Sequence, residues 1–186
     1  LFRIFIVLWA SILEILKDSV CPAHFPLQVQ IVLGLYRLIM MAASPLFTVI
    51  SKNFGKKHPR WLEGIGFYAG QRPAGTLIWI HAPSIEELQA SLILMEYIQN
   101  KDPEASFLLT GRELDDRPMG LPPRTTLVMW PIDTPFFTER FLDHWKPDSA
   151  CILKQELWPN LLISIHHHEI PILLLDFNIS GITLKL

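Results

Sequence analysis

From residue 76 onward, short apolar runs alternate with longer segments in which apolar residues recur with helical spacing. The short runs predict strands and the longer segments predict helices. The predicted strands are 76–80, 105–110, 126–130, 150–153 and 171–175, and the predicted helices are 84–100, 135–145 and 158–168. Helices that connect strands rich in Leu, Ile and Val are typical of a parallel sheet, so we expect an α/β domain over residues 76–186.

The N-terminal part of the chain has a different pattern, dominated by long apolar stretches. Residues 1–16 predict an apolar helix, and a proline-containing break at 18–26 follows it. The stretch 30–50 contains a single charged residue, Arg37, and has roughly the length of ~20 residues that crosses a hydrocarbon core. Pro45 is expected to kink this second helix, which membrane helices tolerate.

Two interpretations of residues 1–50 are open: helices that associate with a membrane, by spanning it or lying in its interface, and a buried helical hairpin. Membrane association is favoured by the basic residues that follow, which keep the next part of a chain on the cytoplasmic side. They are Lys52, Lys56, Lys57 and Arg60. We therefore predict a membrane-associated segment (1–50), a basic connector (51–75) and the α/β domain (76–186).

Composition narrows the functional classes. Half of the 186 residues are apolar, 18% are charged, and the formal net charge is −2. A chain this apolar is not expected to be disordered, and its charge offers no general attraction to nucleic acid. The two cysteines, Cys21 and Cys151, lie far apart and predict neither a disulfide framework nor a zinc site, which fits a reducing compartment.

Polar side chains cluster where the predicted strands end. In a parallel sheet these ends lie at one edge, where α/β proteins bind their ligands. We therefore expect one cleft to be lined by side chains from four strand ends. These are His81, Ser84 and Glu87 after the first strand, Thr110 and Arg112 after the second, Asp133 after the third and Glu156 after the fourth.

The pattern alone leaves the role of Glu87 open. Its carboxylate has the position of a general base at the edge of the sheet. Ser84 and Glu87 also have the spacing of a capping box, and spacing alone favours that interpretation. Asp133 is expected to cap the helix that begins at Pro135. Glu156 is harder to explain structurally, because a buried carboxylate is costly unless it is paired or used.

Other familiar signatures do not occur in the sequence. His166, His167 and His168 are adjacent and point in different directions around a helix, so they are not expected to share a metal ion. The sequence has neither a Gly-x-Gly-x-x-Gly motif nor a Walker loop, and no Ser-His-Asp arrangement can be assigned. We expect no cofactor and no metal site in this chain.

Several segments, in their order along the chain, resemble one enzyme family. They are Leu35-Tyr-Arg-Leu38, Trp61-Leu-Glu-Gly-Ile-Gly-Phe-Tyr68, Trp79-Ile-His-Ala-Pro-Ser-Ile-Glu-Glu87, Pro131-Ile-Asp133, Phe141-Leu-Asp-His-Trp-Lys-Pro147 and Glu156-Leu-Trp-Pro-Asn160. The third is similar to the family's Trp-Ile-His-Ala-x-Ser-Val-Gly-Glu. Together they resemble the N-terminal half of Kdo transferases, the bacterial inner-membrane enzymes that attach 3-deoxy-D-manno-octulosonic acid (Kdo) to the lipid A precursor.

The resemblance implies a GT-B glycosyltransferase with two Rossmann-like domains, of which residues 76–186 would belong to the first. In this family the N-terminal domain holds the lipid acceptor at the cytoplasmic face of the inner membrane, and the C-terminal domain binds the donor CMP-Kdo. By resemblance, Glu87 is the general base that accepts the proton of the acceptor hydroxyl. The side chains expected to shape the acceptor side are His81, Ser84, Glu156 and Asn160.

The chain departs from the family pattern at several positions. Glu86 stands where the family has glycine, which places a second carboxylate beside Glu87 and adds bulk. The family's Ser/Thr-rich turn is reduced to Thr110-Gly-Arg-Glu113, and its Asn-Ala-Arg-x-Ser is replaced by Asp176-Phe-Asn-Ile-Ser180. The donor-binding domain is expected after Leu186, so residues 1–186 alone are not expected to catalyse transfer.

Two alternatives follow from these departures. One is a non-catalytic, membrane-anchored binding module that keeps the fold of the family. The other is an unrelated Rossmann-like domain in which Ser84 and Glu87 serve only as a helix cap.

Overall fold

The computed structural model describes residues 27–54, 59–111, 120–153 and 158–175. The described ranges begin with helix α1 (Leu27–Phe54) and a 3-10 helix (Pro59–Ile65). The elements that follow are β1 (Leu77–His81), α2 (Ile85–Lys101), β2 (Ser106–Gly111), β3 (Thr125–Met129), α3 (Pro135–Trp145), β4 (Ser149–Leu153), α4 (Pro159–His167) and β5 (Ile172–Leu175). The helix predicted over residues 1–16 lies outside the described ranges.

The strands and helices predicted from residue 76 onward are confirmed, with boundaries that differ by one residue at most. The residues at the two ends of α3 explain why its predicted bounds agree with the structure. Pro135 occupies the first turn, where its missing N–H costs nothing, and Thr134 caps the turn by accepting from Phe137 N–H at 3.2 Å. Lys146 then ends the helix in the left-handed region, with φ 43°, and Pro147 follows it.

The five strands form one parallel sheet in the order β3-β2-β1-β4-β5. This is the Rossmann strand order, so the predicted α/β fold is confirmed and is consistent with one half of a GT-B enzyme. The order reverses between the neighbouring strands β1 and β4, which α2, β2, β3 and α3 separate in the chain. In open sheets, ligands bind beside the carboxyl ends of the strands at such a switch point.

Side chains of the central strand β1 alternate between two apolar cores. Leu77 and Trp79 lie in the core that includes α3 and α4, whereas Ile80 lies in the core that includes α2. All three side chains are fully buried. A strand that is covered on both faces has a nearly continuous apolar sequence, and this explains why the pattern predicted β1.

The 3-10 helix covers the outer edge of β3. Glu63 Oε2 accepts a hydrogen bond of 2.7 Å from Met129 N–H, and Ile132 N–H donates to the Gly64 carbonyl at 2.9 Å. Burial raises the pKa of Glu63, although the hydrogen bond from Met129 opposes that shift. These bonds occupy backbone groups that an edge strand otherwise offers to other chains.

Helix α1 confirms the second predicted N-terminal helix and extends it in both directions. The helix runs through Pro45 without interruption. Near this proline, the hydroxyl of Ser44 donates to the Met40 carbonyl at 3.0 Å, and the hydroxyl of Thr48 donates to the Ser44 carbonyl at 2.9 Å. Side-chain bonds of this kind accompany the local loss of a backbone hydrogen bond at proline.

One face of α1 packs against the α/β domain, and the other is exposed. Leu33 contacts the core next to β1, Tyr36 donates to a carboxylate of the domain, and Ser51 is 1% exposed. By length and composition Ile31–Asn53 is suited to cross a membrane, and 0% of its apolar window is buried inside the domain. Helix α1 is therefore not buried inside the described part of the domain. Its exposed large apolar side chains are Ile31, Leu35, Leu38, Ile39, Met41, Leu46, Val49 and Ile50.

Candidate active site

The predicted site residues flank the switch point between β1 and β4. His81 is the last residue of β1, Ser84 is the N-cap residue of α2, and Glu87 lies in the first turn of α2. Asn160 is the second residue of α4, on the β4 side. Glu156 and Arg112 lie outside the described residues. The fold therefore brings the described candidates to the edge where a Rossmann sheet binds ligands.

Glu87 combines burial with a hydrogen bond from a hydroxyl group. Its side chain is 8% exposed, and Ser84 Oγ donates to its carboxylate. The N-terminus of α2 favours the anionic form of a carboxylate in this position. This position at the edge of the sheet is compatible with the predicted role of Glu87 as a general base.

The capping-box interpretation of Ser84 is not what the structure shows. The Ser84 backbone has the extended conformation of an N-cap residue, with φ −133° and ψ 176°, but its side chain accepts no capping hydrogen bond from the first turn. Its hydroxyl instead faces the carboxylates of Glu86 and Glu87. Spacing correctly predicted that Ser84 and Glu87 meet, but it did not predict that the serine acts as a donor.

Glu86 competes for the same hydroxyl group. Ser84 Oγ lies 2.6 Å from Glu86 Oε2 and also contacts Glu87, yet a serine hydroxyl has one hydrogen to donate. Glu86 is exposed, whereas Glu87 is buried. Glu86, at the position where the sequence resemblance implies a glycine, therefore adds a negative charge and a rival acceptor directly beside Glu87.

His81 lies below the surface of this edge. It is 0% exposed, and its Nδ1 lies 3.0 Å from Thr110 Oγ1. Its ring lies against that of Trp130, with a centroid distance of 3.7 Å and an angle of 39° between the ring planes. Thr110 also accepts from Trp79 Nε1 at 2.9 Å. The predicted acceptor-side histidine thus lies between the ring of Trp130 and a buried hydroxyl.

Asn160 lies in a network around Asp133 on the other side of the switch point. Asn160 is 0% exposed, and its Nδ2 donates to the Asp133 carbonyl at 2.8 Å. Asp133 Oδ1 accepts from Leu161 N–H at 2.9 Å, and Oδ2 accepts from the Tyr36 hydroxyl at 2.7 Å. Asn160 Oδ1 is buried and has no hydrogen-bond partner in the part of the chain that the structure describes.

The predicted role of Asp133 as the cap of α3 is wrong. Thr134 caps α3, and Asp133 instead binds backbone N–H groups at the start of α4, including Asn160 N at 3.3 Å. Burial raises the pKa of Asp133, although hydrogen bonds from Tyr36, Leu161 and Asn160 oppose that shift. Asp133 caps α4 because the folded chain brings Asn160 and Leu161 next to it. The spacing of residues around Asp133 in the sequence does not reveal this contact.

Two residues of the site edge were not predicted as part of it. Tyr36 belongs to the Leu-Tyr-Arg-Leu segment, and its polar tip within an apolar stretch was the available signal. Trp130 follows β3 and was predicted only as part of that strand. Among the described residues, no group of three or more His, Cys, Asp or Glu side chains has the arrangement of a metal site.

Comparison with known proteins identifies the family. The sequence profile described as 3-deoxy-D-manno-octulosonic-acid transferase (kdotransferase) matches residues 59–184, more than half of the chain. The chain belongs to the Kdo transferase family. The resemblance drawn from the sequence motifs is thereby confirmed. The matched range includes β1 to β5 and the candidate site residues.

Proteins named as Kdo transferases in a plant and in bacteria are similar to this chain. The probable mitochondrial Kdo transferase of Arabidopsis thaliana is 32% identical over 158 residues, which cover 81% of this chain and 35% of the plant protein. The Rickettsia typhi protein named 3-deoxy-D-manno-octulosonic acid transferase is 35% identical over 115 residues, which cover 60% of this chain and 25% of the relative.

The corresponding protein of Haemophilus influenzae is 28% identical over 156 residues, covering 78% of this chain and 36% of the relative. The chain therefore spans about a third or less of the length of the curated relatives it matches. No solved structure matches it.

Proposed function

We propose that this chain forms the membrane-associated, acceptor-binding domain of a glycosyltransferase that transfers Kdo from CMP-Kdo to a lipid A precursor in lipopolysaccharide biosynthesis. The observation that supports it best is the position of Glu87. Its carboxylate lies in the first turn of α2, at the carboxyl edge of the sheet, and is 8% exposed. Family membership and the Rossmann switch point support the same assignment.

In the proposed reaction, Glu87 accepts the proton of an acceptor hydroxyl as the hydroxyl oxygen attacks the anomeric carbon of Kdo. The bond between that carbon and the phosphate oxygen breaks, and CMP leaves. Ser84 orients Glu87 through its hydroxyl group. His81, Asn160 and Glu156 contribute to the acceptor side, and CMP-Kdo binds on the C-terminal domain of the full-length protein.

Membrane association is part of the proposal. Helix α1 presents apolar side chains to the outside along most of its length, and Lys52 and Arg60 lie at and after its C-terminal end. Apolar residues next to basic ones suit an anionic lipid surface. We place the domain at the cytoplasmic face of the bacterial inner membrane, with residues 1–50 as the membrane segment, 51–75 as the connector and 76–186 as the acceptor-binding domain.

A second candidate function is a non-catalytic binding module with the same fold. The observation that favours it is Glu86, which shares the Ser84 hydroxyl with Glu87. A second carboxylate at this point weakens the orientation of the base and repels an anionic lipid acceptor. This module would bind the lipid A precursor without transferring sugar to it.

The two candidates are separated by transfer of labelled Kdo from CMP-Kdo to a lipid A precursor, measured with the full-length protein that carries this domain. For an enzyme, we expect Glu87→Ala to lower the rate by about 10²- to 10⁴-fold. Glu86→Gly should raise it. Glu96→Ala, which alters an exposed residue further along α2, is the control and should leave the rate unchanged.

Absence of transfer by the unaltered protein and by Glu86→Gly, with binding of the precursor retained, would support the non-catalytic module. Absence of both transfer and binding would contradict both candidates. That result would leave the family fold without an acceptor role in this chain.

A further inference from the structure

Two exposed aromatic side chains and one arginine form a patch on the surface of the domain. Phe67 follows the 3-10 helix and is 48% exposed, and Phe136 lies in the first turn of α3 and is 54% exposed. The guanidinium carbon of Arg140 lies 4.9 Å from the centre of the Phe67 ring and 5.4 Å from the centre of the Phe136 ring. These distances are those of cation–π contacts. We call these three side chains the aromatic–arginine patch.

The backbone beneath the patch makes room for Arg140. Gly66 has φ 85°, which glycine adopts without strain, and a Cβ atom added there would lie 3.0 Å from Arg140 Nε. The bare backbone therefore lets the arginine side chain pass close to the chain and reach both rings. None of the ion pairs in the part of the chain that the structure describes involves Arg140. Its positive charge is thus not neutralised by a described carboxylate.

The patch lies beside helix α1. Phe136 is three residues after Asp133, which accepts a hydrogen bond from Tyr36 of α1. The 3-10 helix, which ends two residues before Phe67, and α3 both pack against α1. The aromatic residues therefore belong to the elements that hold α1 on the domain. The outward face of α1 exposes large apolar side chains over the length of a membrane span.

We propose that the aromatic–arginine patch is a second membrane contact of the domain and binds the headgroup region of an anionic lipid surface. Phe67 and Phe136 enter the boundary between headgroups and acyl chains, and Arg140 pairs with lipid phosphate groups. Because the patch lies beside α1, a bilayer that lies along α1 reaches it. The inference rests on the membrane association proposed above and not on the transfer of sugar.

Tyr97 and Lys101 of α2 provide a matched control. Lys101 Nζ lies 5.9 Å from the centre of the Tyr97 ring, and Tyr97 is 63% exposed. This pair has the same combination of an exposed ring and a positive charge. Helix α2, however, packs on the core at the opposite face of the sheet from α3. A lipid contact specific to the aromatic–arginine patch should not involve it.

The first test measures sedimentation of the full-length protein with vesicles, either of phosphatidylethanolamine and anionic phosphatidylglycerol or of neutral phosphatidylcholine. The double variant Phe67→Ser and Phe136→Ser should bind both kinds of vesicle about tenfold more weakly. Arg140→Gln should weaken binding to the anionic vesicles about threefold to fivefold and leave binding to the neutral ones unchanged. The control double variant Tyr97→Ser and Lys101→Gln should bind like the unaltered protein.

The second test locates the lipid contact and works even where α1 holds the protein on vesicles too firmly for affinities to be compared. Phe136→Cys and Tyr97→Cys are treated with a water-soluble maleimide, with and without the anionic vesicles. Peptide masses report the label at each introduced cysteine. We expect vesicles to slow labelling about tenfold at position 136 and to leave labelling at position 97 unchanged.

Unchanged labelling at position 136, in protein that is bound to vesicles, would overturn the inference and leave α1 as the membrane contact. Equal losses of binding in the patch variants and in the α2 control would also overturn it, since the contact would then not be specific to the patch. Absence of vesicle binding by the unaltered protein would overturn it together with the proposed membrane association. Vesicle contact at position 136 without any Kdo transfer would support the inference and contradict the proposed reaction alone.

Discussion

The two sides of the switch point place carboxylates near helix starts but use them differently. Beside β4, Asp133 binds backbone N–H groups of α4 and the hydroxyl of Tyr36. Beside β1, Glu87 is bound by the hydroxyl of Ser84, whose side chain caps nothing. One carboxylate joins helices together, and the other is held by a small side chain at the entrance of the first helix.

The difference teaches that closeness to a helix N-terminus does not by itself make a polar side chain a cap. The donors that reach a carboxylate decide its role. Asp133 accepts hydrogen bonds from donors in α1 and α4, so its carboxylate serves to stabilise the fold. The Glu87 carboxylate is bound by Ser84 at the start of α2, and its role as a base stays a prediction. Variants of the two sides should therefore separate stability from activity.

The largest expected difference is between Asp133→Asn and Glu87→Gln. Asp133→Asn should lower the free energy of unfolding by about 2–3 kcal/mol, because an amide replaces a buried acceptor that binds several donors. Glu87→Gln should change it by less than about 0.5 kcal/mol. Urea unfolding of both variants measures these values. Similar losses in the two variants would show that Glu87 is as structural as Asp133.

A smaller effect is expected where α1 meets the domain. Tyr36→Phe removes the 2.7 Å hydrogen bond to Asp133 Oδ2 and keeps the ring. We expect a loss of about 1–1.5 kcal/mol in the free energy of unfolding, typical of one hydrogen bond to a charged group at a partly buried site. In the Asp133→Asn background the same change should cost less, because the two residues share one interaction. Full additivity of the two losses would contradict the described coupling.

The helix starts themselves give the next comparison. Thr134→Ala should destabilise the protein by about 1 kcal/mol, because Thr134 accepts the capping bond of α3 from Phe137. Ser84→Ala, introduced in the Glu87→Ala background so that the Ser84–Glu87 hydrogen bond does not contribute, should cost less than about 0.5 kcal/mol, because the Ser84 side chain makes no capping bond. Thermal unfolding of both variants provides the measurement. An equal cost at the two positions would restore the capping-box interpretation of Ser84.

The smallest expected effect is a pair of opposite pH dependences. The pKa of Asp133 is higher in the folded protein than the usual carboxyl value, which applies to the unfolded chain. The contribution of Asp133 to stability is therefore complete below the usual carboxyl value and is lost as the pH rises through the folded-state pKa. Burial also raises the pKa of Glu139, but hydrogen bonds from Ser164 and His168 outweigh burial and lower it overall. The contribution of Glu139 is therefore complete above the usual carboxyl value and is lost as pH falls through the folded-state pKa.

Removing each carboxylate should remove its own pH dependence. Stability of Asp133→Asn, compared with the unaltered protein between acid and neutral pH, should no longer decline with rising pH at that site. Stability of Glu139→Gln should decline less on acidification. Parallel changes in the two variants would contradict the assigned directions.

Sequence alone predicted the elements of the α/β domain because their signals are local. The apolar run of β1 reflects burial on both faces, and Pro135 defines the start of α3. The reversal of strand order was not readable from these patterns, because it depends on contacts between β1 and β4. The family resemblance supplied the fold that local patterns left open, and the comparisons confirmed it.

The sequence predicted that the candidate residues lie at one edge of the sheet, but not which side chains contact each other there. Tyr36 and Asp133 lie 97 positions apart, and His81 and Thr110 lie 29 apart. No periodicity encodes such pairs, which arise only when the register of β1 and β2 and the docking of α1 are known. The roles of Glu87, His81, Ser84, Glu156 and Asn160 in binding or catalysis remain predictions.

The docking of α1 also limits how the molecule meets a bilayer. Tyr36 and Ser51 face the polar domain from within the same apolar stretch, Ile31–Asn53, that has the length of a membrane span. A helix standing upright in the bilayer would carry the attached domain into the hydrocarbon, where its hydrated surface is strongly disfavoured. If α1 associates with a membrane while it stays packed on the domain, an orientation along the membrane surface is compatible with this packing and an upright span is not.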